Sequence, residues 1–488
     1  MKKILLAMLA AVIVLLAIVL VRTFTLRSIQ PKTESVTLPV FESASADRLT
    51  RAINYRTVSH DIGLPVDTAE FTGFRQFLSE AYPLIHSTLS KEIFSDLSIL
   101  YTWEGSNPSL KSVVLTAHMD VVPAVETDRW EQLPFSGFND GTFIWGRGTL
   151  DDKGALISIM ETVEQLLQEG YQPARTIYLA FGHDEEIGGN MGAAVIASEL
   201  SGRGVEAAIV LDEGLAITRG MVPMVGPPVA LIGTGEKGYL SVELRVEMDG
   251  GHSQTPEREN AVIVLNAALW RIWRNPPKAG ISGPVQDFVR YIGPEMPFHG
   301  RAIFANTWLF RRLLLNIYQA SAAGNALVST TITPTMLGAG LKDNIIPTEA
   351  AAVLNARILP GETTADVLAH LERVVSDERV KIVPLEGLSH DPSPVSPVDI
   401  PAFATIAATI REVFPEAIVA PTMMVAQSDA RHYTLVSPNT YRFVPQFVTD
   451  EDLARYHGLN ERIRVDEFLR GIGFYYQLIR NTDSMPEQ

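Results

Sequence analysis

Several stretches of this chain place histidine and carboxylate side chains where they can bind cations or carry protons. His118 and Asp120 close an apolar run, and at i, i+2 spacing in an extended chain their side chains share one face. A carboxylate so placed can fix the imidazole tautomer; the bland alternative is a loop histidine satisfied locally. Asp151 and Asp152, within Gly146-Arg147-Gly148-Thr149-Leu150-Asp151-Asp152-Lys153-Gly154, stand where a helix begins, a place that an ordinary N-cap also favours. Asp184, Glu185 and Glu186 follow a second apolar run and Asp212 follows a third; solvated surface acids are the competing reading. Taken jointly, carboxylates this crowded repel one another unless a cation neutralises them. Two zinc ions joined by a bridging carboxylate would do that.

The elements that must position these groups are legible around them. Residues 113–117, 177–181 and 208–211 are short apolar runs rich in β-branched residues, which predicts buried strands. Between the first two, Leu156, Ile159, Met160, Val163, Leu166 and Leu167 recur at helical spacing, and Gly170 stops the helix. Strands alternating with helices predict a wound α/β sheet, whose ligands sit beyond the carboxyl ends of the strands. After about Gly235 the pattern changes. Residues 239–248 alternate strictly, as a strand with one wet face does. A helix over 261–273, an irregular proline-bearing stretch over 275–300, helical residues to about 320, strands over 327–333 and 350–359, a helix over 365–375 and a strand over 380–385 complete a β-α-β-β-α-β order with an insertion.

Composition narrows the partners and the metal chemistry. The chain has 488 residues, 40 basic and 56 acidic, a net charge of −16, and no cysteine. Nucleic-acid binding rests on basic patches, so it is excluded as the expected function. Without cysteine, any metal must be held by His, Asp and Glu. Gly233-Thr234-Gly235-Glu236-Lys237-Gly238 fits a dinucleotide fingerprint in letters, but a strand follows it instead of the helix N-terminus that phosphate binding needs. It reads as a domain hinge. Neither H-E-x-x-H nor G-x-S-x-G occurs.

Residues 4–21 form an unbroken apolar run after Lys2 and Lys3. As a helix it would reach about 27 Å, close to the ~30 Å hydrocarbon core. The run exceeds the usual ~7–15-residue core of a signal peptide and lacks a small-residue cleavage pattern, so an uncleaved anchor is expected and a cleaved signal peptide is the alternative. Either reading exports the rest of the chain.

With Gly250-Gly251-His252-Ser253 and His457-Gly458-Leu459-Asn460-Glu461 added, the ordered motif set resembles the di-zinc metallopeptidases that include aminoacylases, succinyl-diaminopimelate desuccinylase and carboxypeptidase S. The resemblance runs over about residues 45–480. It is most similar to the carboxypeptidase S branch on residues 130–154, Asp429-Ala430-Arg431-His432-Tyr433, Tyr441-Arg442-Phe443 and the anchored start; that branch includes secreted enzymes acting on N-fatty-acyl amino acids. It implies a zinc-exopeptidase-like catalytic domain with a wound mixed sheet, plus an inserted α+β lid. In that pattern His118, Asp151 and Asp212 hold one zinc, and Asp151 bridges to a second completed by Glu186 and His457. Asp120 orients His118, Glu185 is the general base, and a cis peptide follows Asp151. His252 of the lid stabilises the oxyanion, in dimeric relatives from the partner subunit, and Asn344 and Arg357 lie near the substrate carboxylate. One departure is Ala426-Gln427-Ser428-Asp429, where many relatives carry a glycine-rich G-G-T-D.

The expected organisation is an anchor over 1–22, a linker over 23–45, a catalytic domain over 46–235 and 391–480, and a lid and dimerisation domain over 236–390. The expected activity is hydrolysis of an amide bond in a peptide or N-acyl amino acid with a free carboxylate. A dipeptidase, or an inactive metal-dependent peptide-binding protein, is the alternative. A homodimer through the lid is the expected assembly.

Overall fold

The computed structural model describes residues 1–385, 387 and 389–487. The chain divides into two compact units. Unit 1 comprises residues 1–234, 287–306 and 396–488, and unit 2 comprises 235–286 and 307–395. The stretch 287–306 thus groups with unit 1, although it lies inside the segment expected to form the lid.

Unit 1 is built on a mixed sheet whose central strands are the three apolar runs. Ser112–His118 pairs in parallel with both Ile177–Gly182 and Ala207–Asp212, and Thr440–Arg442 extends the parallel set beside Ala207–Asp212. All three main strands are buried along nearly their whole length, which is why they read as continuous apolar runs without alternation. The helix Lys153–Gln168 packs on this sheet, with Leu156, Ile159, Met160, Val163 and Leu166 all fully buried. The helix Val465–Asp483 lies beside it.

Unit 2 carries a four-stranded antiparallel sheet in the order Thr331–Ala339, Glu349–Ile358, Gly238–Glu247, Val380–Pro384. Leu240, Val242, Leu244 and Val246 point into its core with Leu265, Leu354 and Leu371, giving the alternation seen in the sequence. The helices Ala261–Arg274 and Thr364–Val375 cover that face, the second started by a Thr363–Asp366 capping box.

Two expectations are corrected. Residues 275–300 are not irregular throughout: a helix spans Gly283–Ile292, with Pro284 in its first turn, where proline is tolerated, and Val285, Val289 and Ile292 buried. The strand expected over 327–333 begins only at Thr331, because Ser321 caps a short helix, Ala322–Val328, by accepting the Gly324 N–H.

The apolar run forms the helix Lys2–Thr25, long and apolar enough to cross a membrane. The linker after it is laid along unit 1. The Gln30 amide donates to the Val419 carbonyl at 2.8 Å and accepts the Val419 N–H at 2.8 Å. Leu38 lies over Gly473, and the Phe41 ring sits 6.2 Å from that of Tyr476.

Candidate active site

Parallel register brings the chemistry-bearing residues to one rim. His118 stands opposite Gly182, Leu115 opposite Leu211, and Asp212 opposite Arg442, so the carboxyl ends of these strands are level. There the side chains form two groups with ligand atoms within 4.8 Å of one another: His118, Asp151 and Glu213, and Asp151, Glu186 and His457. Asp151 belongs to both. Its Oδ1 lies 2.9 Å from His118 Nε2, and its Oδ2 lies 3.2 Å from His457 Nε2, which is also 3.1 Å from Glu186 Oε2. The Asp151–Asp152 peptide is cis.

Asp212, the expected ligand, does not join the first group; Glu213 does. Glu213 is the first residue beyond the strand Ala207–Asp212. Asp212 is buried, and its pKa is pushed up to about 6 by that burial against hydrogen bonds from the Glu213 backbone and Ser428. The sequence offered both acids side by side.

Asp120 serves both sides of the rim. His118 Nδ1–H donates to its backbone carbonyl at 2.9 Å, leaving Nε2 to face Asp151. The Asp120 carboxylate, 3.4 Å from Nδ1, accepts the backbone N–H groups of Glu185 at 3.1 Å and Glu186 at 3.2 Å. The residue expected to orient the histidine thus also holds the turn that carries Glu185. Asp184 is turned away from the rim, accepting the N–H groups of Met191 and Gly192, each at 2.8 Å.

The electrostatics suit a cation. Burial, with Asp151 and other acids nearby, raises Glu186, Glu213 and Glu185 above the usual carboxylate range. Asp151 alone goes the other way: burial would raise it, but the hydrogen bonds from His118 and His457 outweigh burial and hold it low. Hydrogen bonds to Asp151 and Glu186 push His457 up to about 10. Carboxylates crowded around a shared aspartate, with two imidazoles drawn to it, form a donor set that two divalent cations would satisfy.

The groups behind the rim are fixed by contacts that sequence reasoning did not find. Glu461 is fully buried and accepts the N–H groups of Gly148 at 3.0 Å and Leu150 at 2.8 Å, with Arg147 Nη1 at 2.6 Å. The loop bearing Asp151 is thereby tied to the segment bearing His457. Arg431 and His432 both reach the Gly188 carbonyl, at 2.5 and 3.1 Å, bracing the Glu185–Glu186 turn. Gly189 has φ +66, and a Cβ there would meet Asp429 Oδ1 at 1.9 Å, so only glycine fits. Lys153 is buried and donates to the carbonyls of Ala52 at 3.3 Å and Tyr55 at 2.6 Å.

In unit 2, His252 is exposed on a short ladder opposite Ile345, and the Ser253 N–H donates to the Asn344 carbonyl at 3.2 Å. His252 and Asn344 are therefore neighbours. Arg357 lies elsewhere, near the far end of the strand Glu349–Ile358, its guanidinium 4.5 Å over the ring of Tyr239. From Glu349 to Arg357 that strand runs roughly 26 Å at ~3.3 Å per residue, and Asn344 lies beyond the Glu349 end.

A mixed α/β unit that gathers carboxylates and imidazoles around one shared aspartate at its strand ends defines a metal-dependent hydrolase. Residues 114–481 match the model of peptidase family M20/M25/M40, and this chain belongs to that family. One solved structure with this fold, the YXEP protein of Bacillus subtilis (14% identical, TM-score 0.54), is described as a dinuclear metal-binding peptidase of the M20 family. The probable carboxypeptidase S-like 2 of Dictyostelium discoideum is 38% identical over 480 residues, 96% of this chain and 92% of that protein. The N-fatty-acyl-amino acid synthase/hydrolase PM20D1 of Xenopus tropicalis is 38% identical over 488 residues, 98% and 94% of the two chains. Among solved structures, the M20 family metallo-carboxypeptidase Sso-CP2 from Sulfolobus solfataricus superposes with a TM-score of 0.67 at 17% identity, covering 90% of this chain and 99% of that one.

Proposed function

We propose that this protein is a zinc-dependent amidohydrolase that cleaves the amide bond between an acyl or peptidyl group and an amino acid bearing a free carboxylate. The observation that carries the reading is the pair of donor groups sharing Asp151, with Glu185 held beside them through Asp120. His118, Asp151 and Glu213 would hold one zinc ion, and Asp151, Glu186 and His457 the other. When bound, the two ions supply Lewis acidity for the amide carbonyl and bring the pKa of a water towards ~7. Glu185 would accept a proton from the attacking water and return it to the leaving amine. His252 donates to the developing oxyanion, and Arg357 binds the substrate carboxylate through its fork.

N-acyl amino acids and peptides are both candidate substrates, because relatives named for N-fatty-acyl amino acids and one named carboxypeptidase S-like match nearly the whole chain at 36–38% identity. Separation of Arg357 from the His252–Asn344 pair supports an active dimer in which one lid supplies Arg357 and a second copy supplies His252. Thr331–Ala339, an edge strand exposing Met336 and Leu337, is a suitable seam. The helix Lys2–Thr25 anchors the exported enzyme.

The test is a hydrolysis screen of N-acyl amino acids against dipeptides, run with Glu185→Gln. Turnover lost with about two zinc ions retained per chain supports the assignment. Full activity in the variant refutes it, and bound zinc without cleavage of any substrate by the unaltered chain favours a binding protein.

A further inference from the structure

The helix Lys2–Thr25 does not end free of the folded chain. Over its last turns it is built into unit 1. Thr23 is fully buried, and Arg22 Nε donates to the Ala305 carbonyl at 3.0 Å. The Asn306 amide, itself fully buried, donates to the Val19 carbonyl at 3.2 Å and to Thr23 Oγ1 at 3.3 Å. The rings of Phe24 and Phe298 lie 5.6 Å apart. Leu26 sits so close over Gly293 that a Cβ there would come within 3.3 Å of its Cδ2. The receiving surface is one short helix, Phe298–Ala305, with the turn before it.

These contacts set a depth. A hydrocarbon core of ~30 Å takes about 20 helical residues at ~1.5 Å each. Counted from Ile4, such a span ends near Thr23. Val19, whose carbonyl meets Asn306, is therefore inside the apolar span, and Phe298–Ala305 cannot stand clear of a bilayer that the first helix crosses. Its surroundings suit that level. Phe298 is 52% exposed, Phe24 71% and Met224 47%, and Met224 Cε would lie 3.4 Å from a Cβ on Gly300. Large apolar side chains gathered at one place cost free energy against water and are satisfied at the headgroup boundary. Arg27, exposed just beyond the helix, is placed to meet lipid phosphates.

We propose that Phe298–Ala305 is a second membrane contact, lying in the headgroup layer of the exported leaflet and braced on the first helix. Its partner is the phospholipid bilayer, and it holds unit 1 in one orientation against that surface. The proposal rests on the anchor reading of Lys2–Thr25.

The chain has no cysteine, so single reporter thiols carry no background. The full chain carrying Phe298→Cys is labelled with an environment-sensitive fluorophore and reconstituted in phosphatidylcholine–phosphatidylglycerol vesicles containing quencher-bearing lipids. Glu199→Cys, on an exposed helical turn, is the comparison. The intact mass of the membrane-bound chain is measured in parallel. The expected result is a blue-shifted emission, quenched by lipid, at position 298 and not at 199, in a chain that retains its first 26 residues. Water-like emission at 298 in such a chain overturns the proposal and leaves the anchor intact. Emission that is shifted but not quenched by lipid points to a second copy on this face and also overturns it. A chain recovered without its first helix overturns the anchor reading and this proposal together. As a second measurement, the pair Phe24→Cys and Phe298→Cys should be joined by a short bifunctional thiol reagent in vesicles, and failure to link them refutes the brace.

Discussion

Arg147 and Glu461 stand 314 positions apart in the chain and meet in an ion pair of 2.6 Å with both side chains out of water. Glu461 also accepts the N–H groups of Gly148 and Leu150, so its carboxylate serves an arginine and a loop at once. Breaking a buried pair by removing one partner typically costs about 3–5 kcal/mol, because the other charge stays uncompensated. Glu461→Gln should therefore lower stability by about that amount in denaturant titrations and loosen the Asp151 loop, with loss of bound metal. Unchanged stability and metal content would contradict the clamp.

Glu213 and Asp212 make a discriminating pair. Glu213→Gln should lose about one equivalent of tightly bound metal and most activity, whereas Asp212→Asn should keep its metal. Elemental analysis of the two purified variants checks this, and the reverse pattern would restore Asp212 as the ligand.

Removing metal should destabilise unit 1. A ligand present at ~100 times its dissociation constant adds about 2.7 kcal/mol to the native state. Chelation should thus lower the melting temperature of the chain by several degrees, reversibly on adding zinc, and should do so much less in Glu186→Gln. Equal melting with and without chelator would be inconsistent with ions held at this rim.

Lys237 gives a pH signature in unit 2. It is fully buried, donates to the carbonyls of Ala326 and Ser329, and burial lowers its pKa to about 8 from 10.5. Below about 8 both folded and unfolded chains carry the proton, and the folded state bears the cost of the buried charge. Between about 8 and 10.5 the unfolded chain binds more protons, so stability rises with pH, by up to about 3 kcal/mol. Lys237→Met should remove this rise from chemical-denaturation curves recorded across that range. A slope identical to that of the unaltered chain would show that Lys237 does not titrate there.

Gly189→Ala introduces a Cβ that would meet Asp429 Oδ1 at 1.9 Å, at a φ of +66. The turn carrying Glu185 must then shift, and activity should fall at least about tenfold, the effect of ~1.4 kcal/mol on a barrier. Steady-state kinetics would expose the opposite outcome directly.

How much of this was legible depended on the range of the forces involved. The strands 113–117, 177–181 and 208–211 could be read because burial on both faces leaves a local, unbroken apolar signal. The donor residues could be read because their types are unusual after such runs. The grouping of Glu213, and not Asp212, with His118 and Asp151 could not, since two adjacent acids carry the same signal in the letters. The helix Gly283–Ile292 was hidden by glycine and proline at its start, although Val285, Val289 and Ile292 carried the spacing. Glu461, Arg431 and His432 were missed as braces because each acts on backbone groups distant in sequence, and backbone acceptors leave no trace in the letters.

The docked linker has a consequence for how such an enzyme meets its substrate. Sixteen free residues, 27–42, would let a tethered body wander on the order of 20 Å. With Gln30 clamped to Val419 and Leu38 and Phe41 packed down, the leash becomes a handle. On the reading of Lys2–Thr25 as an anchor, an enzyme gripped this way would work at a set height on the lipid, and the concentration it sensed would be counted per area of membrane instead of per volume of fluid.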